Sequence, residues 1–237
     1  CSFPPPSGGG LAVLQSLGIY DLVSKRSWTE ENINHWHALA EALRLADADR
    51  SHWVGDPIDF PVPLEGLLDD IYIKKRSEHI KLDKANFLPL PGIPEGGELL
   101  DLASQPRTSE GGTTHLVVVD TEGNVASYTS SVETVFGSRH VSGGMVLNNQ
   151  LTDFSFVSDV DGRPIANRIS PQKRPMSSMA PVIVFRGGHP VLAVGSPGGW
   201  LIPHYTTQAL IRSLDLGLSP MEVVNSKYLS VRPNLTL

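Results

Sequence analysis

Thr113 is the first of several residues in this sequence whose type and setting could support covalent chemistry. It follows two glycines, Gly111 and Gly112, and leads into a β-branched stretch. A threonine hydroxyl is a weak nucleophile at neutral pH and needs a base beside it. Cleavage of the Gly112–Thr113 bond frees an α-amino group, whose usual pKa of about 8 suits that role. A flexible lead-in to a strand is the alternative interpretation of the same residues.

A second segment places several polar side chains where a predicted strand ends. Their oxygen atoms could together accept hydrogen bonds from an ammonium group, with the Asp153 carboxylate supplying the opposite charge. Asparagine and aspartate also favour plain turns, because their side chains hydrogen-bond the nearby backbone. The pattern alone leaves both interpretations open. The residues are Asn148, Asn149, Gln150, Thr152 and Asp153.

A third set combines two adjacent hydroxyls, Ser177 and Ser178, with a glycine pair, Gly198 and Gly199. Two successive glycines can direct backbone N–H groups at one point, which makes a site for the oxyanion of a tetrahedral intermediate. Losing one such donor typically slows a reaction by about a hundred- to a thousand-fold. The structural alternatives are a helix cap or strand end for the serines and an ordinary tight turn for the glycines.

Spacing argues against the other familiar sites. Residues 195–199 do not have the Gly-x-Ser-x-Gly pattern of a nucleophile elbow, and no glycine-rich loop continues into Gly-Lys-Ser/Thr. His35 and His37 lie two positions apart on a predicted helix and face different directions. The lone cysteine, Cys1, excludes a disulfide framework and a cysteine-rich zinc site. We therefore expect no metal site.

The composition narrows the class of protein. Of the 237 residues, 40% are hydrophobic and 19% are charged, as in an ordinary globular protein, and the formal net charge is −6. A general nucleic-acid binder normally carries a basic excess, so nucleic acid is disfavoured as a partner. No run of about 18 apolar residues is present, so the sequence predicts no membrane-spanning helix.

Residues 1–112 are predicted to be mostly helical, with long irregular connections. A short helix is expected over residues 8–17, after the proline- and glycine-rich start. Residues 86–112 are rich in Pro, Gly, Ser and Glu, which predicts an exposed linker.

A longer helix is predicted between these two segments. Ser27 and Glu30 have the spacing of a capping box, which places the helix start near Trp28. The acidic residues Glu30 and Glu31 would then lie in its first turn, and the helix would end near Arg50. Its apolar positions recur at helical spacing: Ile33, Trp36, Ala40 and Leu43.

Residues 113–237 are predicted to begin with strands. An apolar run at 116–119, a turn at 121–124 and a stretch of high β-propensity at 125–132 predict a hairpin. Residues 181–185 and 191–194 are predicted to form a second hairpin, with its turn at Gly187. A further strand is predicted at 144–147.

Helices are predicted to follow the strands. Residues 202–216 have helical spacing, and Gly217 is placed as the left-handed cap at the end. Ser219 followed by Pro220 predicts the start of a last helix. The candidates for the buried side of the first of these helices are Tyr205, Ala209, Ile211 and Leu214.

In combination, these motifs resemble the γ-glutamyltranspeptidase family, the glutathione hydrolases, which are N-terminal-nucleophile hydrolases. The resemblance runs from about Phe3 to about Asn225. Each segment is weak by itself, but the shared order and spacing make the resemblance specific. The segments are Ala48-Asp49-Arg50, Gly55-Asp56-Pro57, Thr113-Thr114-His115, Asp120 with Gly123-Asn124, Phe136-Gly137-Ser138, residues 147–155, Lys173-Arg174-Pro175, Ser177-Ser178-Met179 and residues 195–199.

The resemblance implies an α+β fold of the four-layer αββα sandwich type. It also implies an inactive precursor that cleaves itself between Gly112 and Thr113. Residues 1–112 then belong to a large chain and residues 113–237 to a small chain, which stay together as one intertwined domain. Thr113 matches the nucleophile, and Ser131 stands where the family has a second threonine that orients it.

The resemblance also implies the reaction and the remaining site residues. Thr113 attacks a γ-glutamyl amide such as glutathione, and water or an amino acid takes the acyl group, with no cofactor. Because members of the family act outside the cytoplasm, the resemblance also implies a periplasmic or extracellular protein. The matched positions are Gln150 and Asp153 for the substrate's α-amino group, Ser177 and Ser178 for its α-carboxylate, and Gly198 and Gly199 for the oxyanion hole.

Two departures from the family pattern leave alternatives open. Glu133 stands where many members have asparagine, and its added charge could favour an acylase of the cephalosporin or glutaryl-amide type. The family's large chain also begins well before Phe3, with an arginine that clamps the α-carboxylate, and its small chain continues past Leu237. We therefore expect the middle of a longer precursor, and an inert relative is the other alternative.

Overall fold

The computed structural model describes residues 1–86, 88–98, 100–105 and 112–231. Within these residues four α-helices come first, eight strands follow, and two α-helices end the order; short 3₁₀ helices lie at Gln150–Asp153, among the strands, and at Gly199–Leu201, before the last two α-helices. The helices are α1 (Gly9–Val23), α2 (Ile33–Trp53), α3 (Leu64–Leu68), α4 (Asp70–Ser77), α5 (Ile202–Leu214) and α6 (Pro220–Asn225). The strands are β1 (Thr113–Val119), β2 (Val125–Ser131), β3 (Val141–Ser142), β4 (Met145–Val146), β5 (Asp159–Val160), β6 (Arg163–Pro164), β7 (Val182–Arg186) and β8 (His189–Val194).

Helix α1 lies at the centre of the helical packing, against α2, α4 and α5. It begins at Gly9, close to the predicted start, and continues to Val23, beyond the predicted end. Buried aliphatic side chains fill the space between these helices, and their removal from water stabilises the packing. They include Ile19, Leu39, Leu43, Ile73 and Ile211.

The predicted start of α2 is wrong. The helix begins at Ile33, and Asn32 is its N-cap, with a side chain that accepts from the Asn34 N–H at 2.9 Å. Glu30 lies before the helix, where its carboxylate accepts from Arg212 Nε at 2.5 Å instead of completing a capping box with Ser27. A tertiary ion pair has therefore overridden the local capping signal.

The segment predicted as an exposed linker is partly buried in the residues that the structure describes. The Gln105 N–H donates to the Ser51 backbone oxygen of α2, and the Ala103 N–H donates to Pro164, both at 3.0 Å. The Gly92 N–H donates to the buried Asp49 carboxylate at 2.9 Å. These bonds satisfy the backbone of a stretch without regular structure. Residues 106–111 lie outside the described part of the chain.

Both predicted hairpins are confirmed. Strands β1 and β2 pair antiparallel, with Thr113 opposite Ser131, and β7 and β8 pair antiparallel across the turn at Gly187. Gly187 has a φ of +58°, which a glycine adopts without strain. The predicted strand at 144–147 is present only as the short β4, paired with β3.

The strands of the described residues form four separate two-stranded sheets. The mixture of helices and strands agrees with the predicted α+β class, while the four-layer sandwich stays a prediction. Strand β2 lies beside β7 and β8, and α5 packs on β8. The first hairpin therefore comes close to the second one and to the helices that cover it.

The last two helices follow the predicted order. Helix α5 ends at Leu214, Gly217 has the expected positive φ of +69°, and Ser219 caps α6 in a capping box. The predicted buried side of α5 is right for Ala209 and Ile211, only partly right for Tyr205, which is half-buried, and wrong for Leu214, which is 41% exposed.

Two polar residues of α5, Gln208 and Arg212, are buried as well. Gln208 donates to the Leu229 backbone oxygen and Arg212 donates to the Lys227 backbone oxygen, so both provide hydrogen-bond donors to carbonyl groups of the loop after α6.

No helix of the described residues is long and apolar enough to span a membrane.

Candidate active site

The hydroxyls of Thr113 and Ser131 form the centre of the candidate site. Directly opposite residues of an antiparallel pair place their side chains on the same face of the sheet. Thr113 Oγ1 lies 3.0 Å from Ser131 Oγ, within hydrogen-bond distance. Ser131 Oγ also accepts from the Glu133 N–H at 2.8 Å. Ser131 is thus held by the backbone, and it positions the hydroxyl that was predicted to be the nucleophile.

The backbone at Gly112 is also held in place. Its φ is +131°, and a Cβ there would come within 2.6 Å of the Thr134 carbonyl oxygen, so only glycine fits. The Gly112 carbonyl oxygen accepts from the Val132 N–H at 3.2 Å. This hydrogen bond draws electron density from the carbonyl carbon next to Thr113.

His115 follows Thr113 by two positions and lies on the same face of β1. Its Nδ1 lies 2.9 Å from Thr129 Oγ1, and its ring contacts Gly195 so closely that a Cβ there would overlap it. Burial lowers the pKa of His115 below its usual value, which favours the neutral ring. His115 therefore joins β1 to the end of β8 as a packing residue.

Glu133 combines an unusual backbone conformation with a buried side chain. It has a φ of +74° and is only 4% exposed. Among the described residues, none donates a hydrogen bond to its Oε2. A buried carboxylate oxygen without a donor carries a large desolvation cost. The position is therefore suited to a ligand that brings a donor.

The second predicted segment forms a short 3₁₀ helix, Gln150–Asp153, next to the end of β2. Gln150 Nε2 is in very close contact with Asp153 Oδ2, so the two predicted ammonium-binding side chains are together. Asn149 joins them to β2, because its N–H donates to Val132 at 3.3 Å and its Oδ1 accepts from the Thr134 N–H at 3.1 Å.

The predicted serine pair packs against the start of α1. The Gly8 N–H donates to the Ser177 backbone oxygen at 2.8 Å, and a Cβ at Gly9 would overlap the Ser178 carbonyl. Ser177 Oγ accepts from the Met179 N–H at 3.1 Å, and Ser178 is buried. The two serines therefore belong to a loop that α1 fixes, and neither starts a helix.

Asp56 anchors the same loop from the other side. Arg174 donates to the Asp56 carboxylate through its backbone N–H, Nε and Nη2, at 2.7, 2.9 and 2.9 Å. Asp56 is fully buried. The hydrogen bonds from the Arg174 side chain hold the pKa of the Asp56 carboxyl well below its usual range, against the opposing effect of burial.

This anchor predicts an acid-sensitive contribution to stability. A carboxyl whose pKa is lowered on folding stabilises the fold above its unfolded pKa of about 3.9, and the stabilisation is lost as the pH falls below it. We expect Asp56→Asn to be less stable than the wild type at pH 6, and we expect this difference to shrink between about pH 4 and pH 2. Urea midpoints at several pH values measure it.

Asp161→Asn is the matched control for the acid prediction, since Asp161 is exposed in the turn between β5 and β6. It should unfold like the wild type throughout. A difference between Asp56→Asn and the wild type that stays constant down to pH 2 would contradict the assigned ion pair.

The glycine pair has the backbone geometry expected for a turn that exposes N–H groups. Gly198 and Gly199 have φ values of +134° and +55°, and a Cβ at Gly198 would come within 2.8 Å of the Tyr205 ring. No described residue accepts a hydrogen bond from either N–H. Both are therefore available to an anion.

Helix α2 fixes the residue after this turn. Arg50 donates to the Trp200 backbone oxygen at 3.3 Å, and its guanidinium lies 3.7 Å from the centre of the indole ring. The Trp200 indole N–H donates to Asp47 at 3.2 Å, and the same carboxylate lies 2.8 Å from His204 Nε2. This buried network attaches the glycine turn to the helical half of the protein.

The predicted site residues are thus brought together in pairs: Thr113 with Ser131, Gln150 with Asp153, and the two serines and two glycines in their own loops. Among the described residues, Thr113 makes no hydrogen bond to any of the other predicted pairs. Asn149 and Arg50 provide the connections described above.

Asn167 provides a further connection that the sequence reasoning missed. It is buried and donates to the backbone oxygen of Asp153 at 2.7 Å. The signal in the sequence is a polar residue directly after two apolar ones, Ile165 and Ala166, since a polar residue that is buried normally has hydrogen-bond partners.

Comparison with known proteins gives a consistent set of relatives. A family model described as Gamma-glutamyltranspeptidase matches residues 1–233. A glutathione hydrolase proenzyme of Bacillus subtilis (strain 168) is 40% identical over 222 residues, covering 91% of this chain and 37% of the relative. A glutathione hydrolase proenzyme of Escherichia coli (strain K12) is 37% identical over 232 residues, covering 95% of this chain and 38% of the relative.

A solved structure is similar over the same extent. The crystal structure of cephalosporin acylase from Bacillus halodurans superposes with a TM-score of 0.78 at 26% identity, covering 95% of this chain and 37% of that one. The chain therefore spans well under half the length of the proteins to which it is similar.

Proposed function

Because the chain belongs to the γ-glutamyltranspeptidase family, we propose that it cleaves itself before Thr113 and then transfers or hydrolyses γ-glutamyl groups. The observation that supports this proposal is the contact between Thr113 Oγ1 and Ser131 Oγ at 3.0 Å. The residue before Thr113 is Gly112, whose carbonyl oxygen is itself hydrogen-bonded. A hydroxyl, a partner for its proton and an electrophilic carbon therefore lie close together in space.

Self-cleavage uses these groups in sequence. Thr113 Oγ attacks the Gly112 carbonyl carbon, and the Val132 N–H stabilises the oxygen as it gains negative charge. The C–N bond to Thr113 breaks, its nitrogen takes the proton, and an ester to Oγ remains. Water hydrolyses that ester, which leaves a carboxyl at Gly112 and a free α-amino group on Thr113.

The freed amino group is then the base for the second reaction. It takes the proton from Thr113 Oγ as that oxygen attacks the γ-carbonyl of a γ-glutamyl amide such as glutathione, and it passes the proton to the leaving amine. The N–H groups of Gly198 and Gly199 hold the oxyanion. Water or an amino acid then takes the acyl group from Thr113. No metal or cofactor enters these steps.

Four residues are proposed to bind the α-amino and α-carboxylate groups of the substrate, and together they form the substrate seat: Gln150, Asp153, Ser177 and Ser178. Asp153 supplies the negative charge for the substrate's α-ammonium, in contact with Gln150. The hydroxyls of the serines supply donors for the α-carboxylate. Opposite ends of one amino acid are thus recognised by opposite chemistry, which favours an α-amino acid as the acyl part.

The remaining family features are proposed on the same basis. The protein adopts a four-layer αββα sandwich, and residues 1–112 and 113–237 stay associated after cleavage as parts of a large and a small chain. It acts outside the cytoplasm, in the periplasm or the extracellular space. Its partners are small molecules, with no role for nucleic acid.

Mass spectrometry of the purified protein under denaturing conditions tests the proposal. Two polypeptides, separated between Gly112 and Thr113, are expected, together with release of the anilide from a γ-glutamyl anilide. A single polypeptide that stays intact over days contradicts self-cleavage and favours an inert relative.

An acylase is the second candidate, because the similar solved structure is a cephalosporin acylase. The buried carboxylate of Glu133 argues against it. A substrate without an α-ammonium group would leave Glu133 Oε2 without a donor, so we favour γ-glutamyl over glutaryl groups. Fast glutaryl-amide hydrolysis with no γ-glutamyl turnover would reverse that preference.

Glu133 should therefore set the preference for a cationic acyl group. Glu133→Gln keeps the shape and removes the charge, so we expect KM for a γ-glutamyl anilide to rise by about 10-fold. The ratio of kcat/KM for γ-glutamyl over glutaryl amide should fall by a similar factor. Glu122→Gln, in the exposed turn of the first hairpin, is the control and should change neither value. An unchanged ratio in Glu133→Gln contradicts this role.

Ser131 should affect both self-cleavage and turnover. Ser131→Ala removes the partner of Thr113 Oγ1, and we expect both rates to fall by about 100-fold, as for other groups that assist proton transfer. Ser131→Thr should restore most of the rate, because it keeps the hydroxyl. The control is Ser130→Ala, since Ser130 is exposed on the opposite face of β2. Equal rates in Ser131→Ala and the wild type would exclude an orienting role.

A further inference from the structure

We infer that Asn167 is a positioning residue that sets the spacing between the two sides of the substrate seat. The inference rests on the proposed function, in which Asp153 receives the α-ammonium and Ser177 receives the α-carboxylate. Asn167 touches neither substrate group. It acts on the backbone that carries them.

The Asn167 side chain joins three segments that are far apart in the sequence. It is 1% exposed. Its Nδ2 donates to the Asp153 backbone oxygen at 2.7 Å and to Gln105 Oε1 at 2.8 Å. Its Oδ1 accepts from the Met176 N–H at 2.8 Å, directly before Ser177. A single buried amide therefore bonds to both sides of the seat.

The backbone of Asn167 strengthens the first of these connections. Its carbonyl oxygen accepts from the Ser155 N–H at 3.0 Å, two residues after Asp153. Loss of the side chain would remove the hydrogen bonds that the Asp153 carbonyl and the Met176 N–H make with it, and losing such bonds in a buried setting is costly. Both loops would then have to move toward water or toward other partners.

The third partner, Gln105, lies before the proposed cleavage point. Its N–H is bonded to Ser51 of α2, so the Gln105 side chain is held from the helical half of the protein. The connection through Asn167 thus crosses from the large-chain part to the small-chain part. It keeps residues up to Gln105 bonded to the substrate seat when the Gly112–Thr113 bond is cut.

Hydrogen exchange of the purified protein tests the connection without requiring activity. Asn167→Ala removes all three bonds, and we expect exchange to accelerate by about 10- to 100-fold both at residues 153–155 and at Met176. Asn167→Asp keeps the oxygen that accepts from Met176 and loses both donors. In that variant, exchange should accelerate at 153–155 while Met176 keeps its protection.

Asn225→Ala is the matched control, because Asn225 is an exposed asparagine whose Nδ2 donates within α6. It should leave both loops unchanged. Folded Asn167 variants with wild-type exchange in both loops overturn the inference. If Asn167→Ala does not fold, the two sites in Asn167→Asp decide the question, since equal acceleration at both contradicts the separate bonds.

The kinetic measurement separates positioning from general loss of structure. We expect Asn167→Ala to raise KM for the γ-glutamyl anilide by about 10-fold or more and to leave kcat within about threefold, because the chemistry at Thr113 is unaffected. A fall in kcat at unchanged KM contradicts the assignment. If the wild type does not turn over the anilide, the proposed function fails, and the exchange results still decide whether Asn167 couples the loops.

Discussion

Thr113→Ala should abolish both self-cleavage and turnover. The variant lacks the oxygen that attacks Gly112 and the oxygen that attacks the substrate, so a single polypeptide is expected by mass. Turnover should fall by about 10⁴-fold or more, as when the nucleophile is removed from other hydrolases. The fold should survive, because the hydroxyl contributes one hydrogen bond, to Ser131, worth about 1 kcal/mol.

Thr113→Ser provides the positive control for this result. It keeps the hydroxyl and removes one methyl group, so it should still be cleaved and should keep measurable activity. Thr114→Ala, at the next position on the opposite, exposed face of β1, should behave like the wild type. Turnover retained in Thr113→Ala would refute the assignment of the nucleophile, whatever the state of the Gly112–Thr113 bond.

Local signals predicted those elements whose stability is also local. The two hairpins were predictable because their turn residues and β-branched runs act over a few positions, as in the turn at Gly187. Ser219 was predictable as a cap for the same reason, since its partner, Glu222, is three residues away. The pairing of Thr113 with Ser131 follows from the register of the first hairpin.

Features that depend on distant residues were not predictable in this way. The start of α2 was misplaced because the partner of Glu30 is Arg212, from the other end of the chain. The composition of residues 86–112 predicts a linker, because it is that of a loop, while Gln105 within it has Ser51 and Asn167 as hydrogen-bond partners. A sequence without an alignment carries no record of such pairs.

The candidate site shows the same division. Residue types indicated which side chains could act, and the family resemblance supplied a role for each. The connections between them are carried by Asn149, Asn167 and Arg50, whose hydrogen bonds reach across the fold. These residues have no distinctive motif, because any buried amide or guanidinium with the right neighbours could serve.

Gly198→Ala should separate the second reaction from the first. At a φ of +134° an alanine is strained, and its Cβ would meet the Tyr205 ring, so the turn must shift and its N–H groups move away from the oxyanion. We expect kcat for a γ-glutamyl anilide to fall by about 100- to 1,000-fold. Self-cleavage should proceed, because the oxyanion of that step is stabilised by the Val132 N–H instead.

Gly187→Ala is the matched control for the glycine turn. Gly187 also has a positive φ, of +58°, but a Cβ there meets nothing within 4 Å. Its φ lies in the left-handed region, where an alanine is less strained than at +134°, and the change does not displace the proposed oxyanion donors, so its kcat should stay near the wild-type value. An equal loss of kcat in both variants would assign the effect to strain alone. Loss of self-cleavage in Gly198→Ala, with folding retained, would show that one oxyanion site serves both reactions.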